Sequence, residues 1–203
     1  MNKQLLIKIS FLVLITANVV SVAWFCVEGG FEPAITSLLI FSAIMGLFVE
    51  RWIAQKDKRK ELLYSLAHEL YLNVGTLYDA KFIAKGEELE KPVVFPRLVD
   101  SVVDASISSG VFIDSGDKKL FNFLHLWRNM VQQFNQRLMV TEHATFANTS
   151  KDNVKLWRGK LSEGRVLKDA RNLSKEFLSY LVENYKDESG IDENTILFEE
   201  PGE

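Results

Sequence analysis

Two long apolar runs open the chain and are its clearest pattern. Residues 5–25 and 34–49 are almost continuously apolar, and a break with two glycines and a proline, residues 26–33, separates them. About 20 helical residues cross a hydrocarbon core of roughly 30 Å, and each run reaches that length with its flanks. Because glycine often ends a helix and proline often begins one, the pattern predicts a transmembrane helical hairpin over residues 1–53.

A cleaved signal peptide is the alternative interpretation of the first run. Ser21-Val22-Ala23 loosely fits the small-residue pattern of a cleavage site. The run is longer than the about 7–15 apolar residues typical of such signals, and a second run follows it. The hairpin is therefore the favoured interpretation.

Beyond residue 53 the pattern becomes that of amphipathic helices, with apolar residues at intervals of three, four or seven. The second apolar run should continue as one helix to about residue 85, followed by helices over 97–108, 117–144 and 151–186. Gly110 should end the helix over 97–108, and the helix over 151–186 can divide at Gly159 or Gly164. The predicted core residues are Leu63, Leu66, Leu70, Val74, Leu77 and Ala84; then Leu98, Val99, Val102, Val103 and Ile107; then Leu120, Phe121, Leu124, Trp127, Val131, Phe134 and Leu138; and finally Leu161, Val166, Ala170, Leu173, Phe177, Leu181 and Tyr185.

Strand signals are scarce. The segment 92–96 is short and bounded by prolines, which are poorly tolerated inside a sheet. The sequence therefore predicts an all-α fold: the transmembrane hairpin, a cytoplasmic antiparallel bundle of about four helices over residues 54–190, and an acidic tail over 191–203.

The distribution of charge predicts the orientation of the hairpin. Its loop carries Glu28 and Glu32 and no basic residue, whereas Lys3 and Lys8 precede the first run. Five basic residues follow the second run: Arg51, Lys56, Lys58, Arg59 and Lys60. Since basic residues favour the cytoplasmic side, both termini should be cytoplasmic. The cluster is predicted to face anionic lipid headgroups, at about 1 kcal/mol per basic residue, with nucleic-acid contact as the alternative.

Small and polar residues inside the apolar runs predict where membrane helices pack. The predicted packing residues are Ala17, Asn18, Ser21, Ser42 and Gly46. Small residues four apart share a helix face and allow helix backbones to approach closely. An unpaired amide near the bilayer midplane is costly, so Asn18 should find a polar partner. Pairing within the hairpin, with Ser37 or Ser42, is favoured, and pairing between copies in a homo-oligomer is the alternative.

Polar residues beside the apolar stripe of the long helix predict a polar network in the bundle. Glu69 and Asn73 lie one turn apart and are expected to contact Arg128, Asn135 or Arg137. A buried network of this kind fixes helix register, and this structural role is favoured over the alternative of a ligand site.

Residue patterns of catalysis are absent from the sequence. Phosphate-binding glycine motifs do not occur. His68, His125 and His143 lie in separate segments without a second ligand at metal-binding spacing, and the single cysteine, Cys26, excludes an intramolecular disulfide. The sequence therefore predicts no enzyme, metal, cofactor or small-molecule substrate.

Three features give the chain a resemblance to known proteins: Glu69-Leu-Tyr-Leu-Asn73 after the membrane segment, Ser109-Gly110 at the end of the next helix, and the residues from Leu120 to Asn135 on the following one. In these it resembles small bacterial inner-membrane proteins with two spans and a helical cytoplasmic domain, including two-transmembrane effectors of retron-type phage defence. The resemblance implies a toxic effector that perturbs the inner membrane when a complex of reverse transcriptase and its RNA–DNA product releases it. A non-toxic membrane-tethered scaffold or interaction protein is the alternative.

Overall fold

The computed structural model describes residues 3–28, 32–113, 115–147 and 150–189. Every regular element in these ranges is helical, which confirms the predicted all-α class. The helices are α1 Lys3–Glu28, α2 Glu32–Leu77, α3 Ala80–Ile83, α4 Ser101–Ser109, α5 Lys118–Ala147, α6 Lys151–Ser162 and α7 Arg165–Ser189, with 3-10 turns at Gly86–Glu90 and Ser115–Asp117. The predicted acidic tail, the middle of the loop between the apolar runs, and the side chains of Lys3, Lys8 and Ser37 lie outside the described residues.

Contacts divide the chain into two compact units, Met1–Lys58 and Arg59–Glu203. The first unit contains α1 and the beginning of α2, and the second contains the rest of α2 and α3 to α7. The predicted domain boundary after residue 53 and the boundary after Lys58 both fall within α2. This helix continues past the second apolar run, as expected, but ends at Leu77 and not at about residue 85.

The first unit exposes many large apolar side chains. They are Leu12, Ile15, Val19, Val20, Val22, Trp24, Phe25, Val27, Ile35, Leu39, Ile40, Leu47, Val49, Trp52 and Ile53. In the part of the chain that the structure describes, no helix combines the length and the apolar character needed to cross a membrane. The helices of the first unit are established. The membrane-spanning character predicted for them stays a prediction.

The second unit has a helical core that follows the predicted apolar stripes. The predicted core residues that lie on α2 and most of those of α5 and α7 are buried, while Phe121, Val166 and Leu173 pack against the core and are partly exposed. Ala84, predicted on the same helix as Leu77, lies after α3 and is partly exposed. Trp127 and Phe177 are among its fully buried aromatic side chains. The amphipathic pattern thus predicted correctly which faces of these helices are buried.

A further departure from the predicted helices lies between α3 and α4. Residues 92–100 are irregular, and α4 begins at Ser101 instead of residue 97. Because these residues do not follow helical periodicity, Leu98 is buried whereas Val99 is exposed, so the prediction of a buried Val99 was wrong. Gly110 ends α4 in the left-handed conformation with a φ of 67°, as predicted.

The predicted last helix is divided at Gly164, between α6 and α7. A Cβ atom at this position would lie 2.5 Å from the carbonyl oxygen of Lys160. Only glycine therefore allows the two helix ends to approach this closely. At Gly159, the other predicted division point, the helix is continuous and the space is open.

Candidate functional site

The predicted basic cluster splits into two kinds of residue. Arg51, Lys56, Lys58 and Lys60 are exposed, and the ammonium of Lys56 lies 5.8 Å from the ring centroid of Trp52. The side chain of Arg59 is only 24% exposed and forms ion pairs inside the second unit. Its assignment to a lipid-facing cluster is corrected on this ground, because its guanidinium is already occupied by carboxylates.

Arg59 joins α2 to the beginning of α5 and to the end of α7. Its guanidinium donates two hydrogen bonds to the Asp117 carboxylate, and Nε donates to Glu188 at 3.1 Å. The hydroxyl of Tyr185 donates to the same Asp117 carboxylate at 2.6 Å. Rings of Phe112 and Tyr185 flank the guanidinium at 5.4 and 5.5 Å from their centroids. This bidentate geometry with aromatic neighbours suits arginine, and lysine cannot reproduce it.

The backbone explains how these residues meet. Arg59 precedes Leu63 by four residues, so it lies on the core face of α2. Asp117 ends the 3-10 turn that leads into α5. Tyr185 has a φ of −138° and a ψ of 22°, which interrupts the helical geometry of α7 beside Glu188.

The electrostatics hold Asp117 in its charged form. Burial opposes that charge, but hydrogen bonds from Arg59 and Tyr185 outweigh it, so the pKa of Asp117 lies below its ordinary value. The hydrogen bond to Asp117 raises the pKa of Arg59. Burial, followed by the bond to Asp117, raises the pKa of the Tyr185 hydroxyl. An ionised carboxylate with three donors is a poor proton acceptor, so this cluster is suited to joining helices and not to acid–base catalysis.

The predicted membrane-packing residues lie on α1 and α2. Ala17 and Ser21 are half-buried, and the hydroxyl of Ser21 donates to the carbonyl oxygen of Ala17 at 2.7 Å. Asn18 and Ser42 are exposed. Gly46 is also exposed, and a Cβ atom there would meet no heavy atom within 4 Å. Within one copy of the chain, Gly46 is therefore not the site of a close helix contact.

Glu69 binds the beginning of α4. Its carboxylate accepts hydrogen bonds from the hydroxyl of Ser101 at 2.8 Å, from the amide of Val102 at 2.9 Å and from the amide of Val103 at 3.4 Å. A carboxylate at a helix N-terminus satisfies unpaired amide groups and interacts favourably with the helix dipole. Asp100, the residue in the N-cap position, makes no such side-chain bond.

Two asparagine side chains hold the irregular 92–100 segment. The Asn73 amide accepts from the backbone N–H of Val99 and donates to its carbonyl oxygen, at 2.8 and 2.7 Å. Asn135 bonds Leu98 in the same way, at 3.0 and 2.8 Å. Glu69, Asn73 and Asn135 therefore act on one connected stretch of backbone. Each of the three partners expected for Glu69 and Asn73 has another contact: Asn135 bonds Leu98, Arg128 pairs with Asp104, and Arg137 lies over the ring of Trp157.

Sequence reasoning missed Asp117, Tyr185 and Glu142 as polar partners. Glu142 accepts from the backbone N–H of Phe95 at 2.8 Å and pairs with Arg97, which adds a third hold on the 92–100 segment. The sequence position of Arg59, in register with the apolar stripe of α2, could have indicated that its side chain faces the core. Asp117 and Glu142 carried none, because their partners lie far away in the sequence.

The described residues contain no group of histidine, cysteine, aspartate and glutamate side chains that could hold a metal ion. His68, His125 and His143 are exposed, as expected for surface residues, and Cys26 is an exposed free thiol. Comparison with models of protein families, with curated proteins and with solved structures gives no match for this chain.

Proposed function

We propose that the chain is a membrane-anchored, non-enzymatic effector of a bacterial phage-defence system. In this proposal α1 and the apolar part of α2 form a hairpin in the inner membrane, with both termini cytoplasmic. The helical second unit senses a partner or is held by it. Release allows hairpins of several copies to associate and perturb the bilayer.

The observation that carries the proposal is the apolar surface of the first unit. Large side chains such as Leu12, Val19, Leu39 and Leu47 are more than half exposed. Transfer of one such side chain out of water is worth about 1.5–3 kcal/mol, so a surface with many of them favours lipid or another apolar partner. The exposed basic residues Arg51, Lys56 and Lys58 follow directly, which supports contact with anionic headgroups.

An exposed aromatic face on the second unit supports binding of a partner. Tyr64, Tyr71 and Leu72 on α2 are exposed although the opposite face of the helix is buried. Tyrosine is enriched at protein interfaces because it combines a large apolar ring with a polar group. From the resemblance to retron-type effectors, we propose that this partner is a complex of reverse transcriptase and RNA–DNA.

Membrane attachment and toxicity are tested together by expression in bacteria. We expect the chain to sediment with membranes after detergent-free lysis and to remain there in alkaline carbonate. We also expect a membrane-potential dye to report depolarisation and growth to stop. Recovery of the chain in the supernatant would exclude the anchor, whereas membrane localisation with normal growth and potential would exclude the effector.

Two identical substitutions on α2 separate self-association from folding. A Cβ atom at Gly46 or Gly75 would meet no heavy atom within 4 Å, and both positions are exposed, so the two positions are matched within one copy. If copies pack through Gly46, Gly46→Leu should weaken cross-linking between copies about fivefold, corresponding to about 1 kcal/mol, and reduce depolarisation. Gly75→Leu, in the second unit, should change neither. Equal behaviour of the two variants would contradict packing at Gly46.

A membrane-tethered scaffold is the second candidate function, favoured by the exposed aromatic face of α2. The two candidates differ in what the hairpin does. Replacement of residues 1–53 by an unrelated hairpin should preserve partner binding in both cases. It should abolish depolarisation if the chain is an effector and leave the biological activity intact if the chain is a scaffold.

A further inference from the structure

A cavity of about 460 Å³ lies in the second unit, next to the 3-10 turn Gly86–Glu90. Its wall includes residues of α3 and α6 and the residues that follow the turn. This volume is within the range of small-molecule sites, about 300–1,000 Å³. The site is independent of the first unit and of the function proposed for it.

Arg158, on α6, is buried in the wall of this cavity with 3% of its surface exposed. Its guanidinium donates to the carbonyl oxygens of Glu88, Lys91 and Lys81. Carbonyl oxygens satisfy hydrogen bonds but do not neutralise a positive charge. Nε of Arg158 is buried without a hydrogen-bond partner among the described residues. Burial lowers the pKa of Arg158, which reflects the cost of this charge.

Four other arginines of the chain have the carboxylate partner that Arg158 lacks. Arg59, Arg97, Arg128 and Arg165 each have a carboxylate within 4 Å. Within the described ranges, no carboxylate lies within ion-pair distance of Arg158. The charge of Glu88 favours the guanidinium from farther away, and the Phe95 ring centroid lies 5.9 Å from it. A buried cation is strongly unfavourable unless an anion compensates it. The buried charge of Arg158 therefore favours the binding of an anionic group in the cavity.

The other residues of the cavity wall indicate which chemical class of anionic ligand fits there. Lys81, Lys91 and Lys151 are exposed basic residues at the cavity, and the Lys151 ammonium also lies 3.6 Å from the Glu90 carboxylate. Glu87 and Glu88 line it too, and both are exposed to screening by solvent. Acidic residues repel a polyanion such as a nucleic-acid strand but accept hydrogen bonds from hydroxyl groups. Among the described residues of the wall, none is aromatic, so they offer no ring on which a nucleobase would stack.

We propose that this cavity binds a small phosphorylated polyol of the sugar-phosphate class, with the phosphate at Arg158 and Lys91 and the hydroxyl groups at the glutamates. Charge-assisted bonds to arginine and lysine supply the affinity for the phosphate. Nothing in the residue pattern indicated such a ligand, because Arg158 and the 81–91 region are far apart in sequence.

Calorimetric titration of the full chain in detergent micelles with glucose 6-phosphate tests the proposal. We expect a Kd of about 0.1–1 mM. Inorganic phosphate, which lacks the sugar hydroxyl groups, should bind at least about tenfold more weakly. Glucose, which lacks the phosphate, should not bind. Tighter binding of AMP than of glucose 6-phosphate would overturn the ligand class, and absence of binding by every phosphate probe at about 10 mM would overturn the site.

Variants of two wall residues locate the binding. Lys91→Gln should weaken the binding of glucose 6-phosphate about tenfold. Glu88→Gln should weaken it about threefold, because an amide accepts weaker hydrogen bonds from the hydroxyl groups than a carboxylate does. Lys155→Gln changes an exposed lysine of α6 outside the cavity wall and should have no effect. Because Arg158→Gln can impair folding, the decision rests on the other variants. Identical affinities of the Lys91→Gln, Glu88→Gln and Lys155→Gln variants would place any binding elsewhere and overturn the proposal.

Discussion

The two units of the chain treat the same kinds of side chain in opposite ways. In the second unit, leucine, phenylalanine and tryptophan side chains such as Leu124, Phe134 and Trp127 are fully buried. In the first unit, Leu39, Leu47 and Trp52 are about half exposed or more. Burial of apolar surface is the main stabilising contribution in a folded domain. The second unit obtains it from its own core, whereas the large apolar side chains named for the first unit remain exposed.

Polar residues show the same difference at the boundary between the units. Lys58, the last residue of the first unit, is exposed, while Arg59, the first residue of the second, is half-buried between two carboxylates. Neighbouring basic residues thus have different roles although they belong to one cluster in the sequence. Proximity in sequence to the apolar runs is therefore not sufficient to assign a basic residue to lipid.

The largest expected effect concerns the apolar core. Trp127→Ala removes a side chain with 0% exposure, and the cavity left behind should cost about 3–5 kcal/mol of unfolding free energy. Leu47→Ala, at a side chain that is 61% exposed, should leave the unfolding of the second unit unchanged. Urea unfolding of the full chain in micelles, followed by circular dichroism, measures both. An equal loss in the two variants would contradict the separation into two units.

A smaller effect is expected at the boundary. Arg59→Gln leaves the buried carboxylate of Asp117 without its cationic partner, at a cost of about 2–3 kcal/mol in the same unfolding experiment. Lys58→Gln should not change the unfolding free energy but should weaken binding to anionic vesicles by about 1 kcal/mol. If Lys58→Gln destabilised the second unit as much as Arg59→Gln, the role assigned to Arg59 would be wrong.

The pH dependence of stability gives a second measurement on the same cluster. Because the pKa of Asp117 is lowered in the folded state, its charged form stabilises the fold. This contribution is complete above the ordinary aspartate pKa of about 3.9 and is lost as the pH falls below it towards the folded pKa. Asp117→Asn should therefore be less stable than the original chain at neutral pH, and this difference should shrink on acidification. A difference that stays constant with pH would refute this assignment.

The smallest effect compares two asparagines. Asn73→Ala removes both hydrogen bonds to the Val99 backbone, and we expect a loss of about 1–2 kcal/mol, because water can partly replace them at the exposed Val99. Faster hydrogen exchange at the Val99 amide should accompany this loss. Asn18→Ala, at an exposed position of α1, should leave the second unit unchanged. Protection of the Val99 amide that survives Asn73→Ala would show that the side chain does not hold the segment.

The sequence by itself determined the helical class, the core faces of α2, α5 and α7, and the cap at Gly110. These features depend on residues three or four positions apart, so they are written in the local pattern of apolar and polar side chains. The same pattern failed at residues 92–100, where side-chain bonds from Asn73 and Asn135 replace the hydrogen bonds of a helix.

Only the tertiary structure decided which polar groups meet. Arg59 finds Asp117 and Glu188, which are 58 and 129 positions away in the chain. Arg158 reaches the carbonyl oxygens of residues 81–91 in a similar way, and this contact brings a buried charge to a cavity. Such pairs depend on how the helices pack and on which backbone groups remain unpaired, and neither property is encoded in the spacing of residues along a single helix.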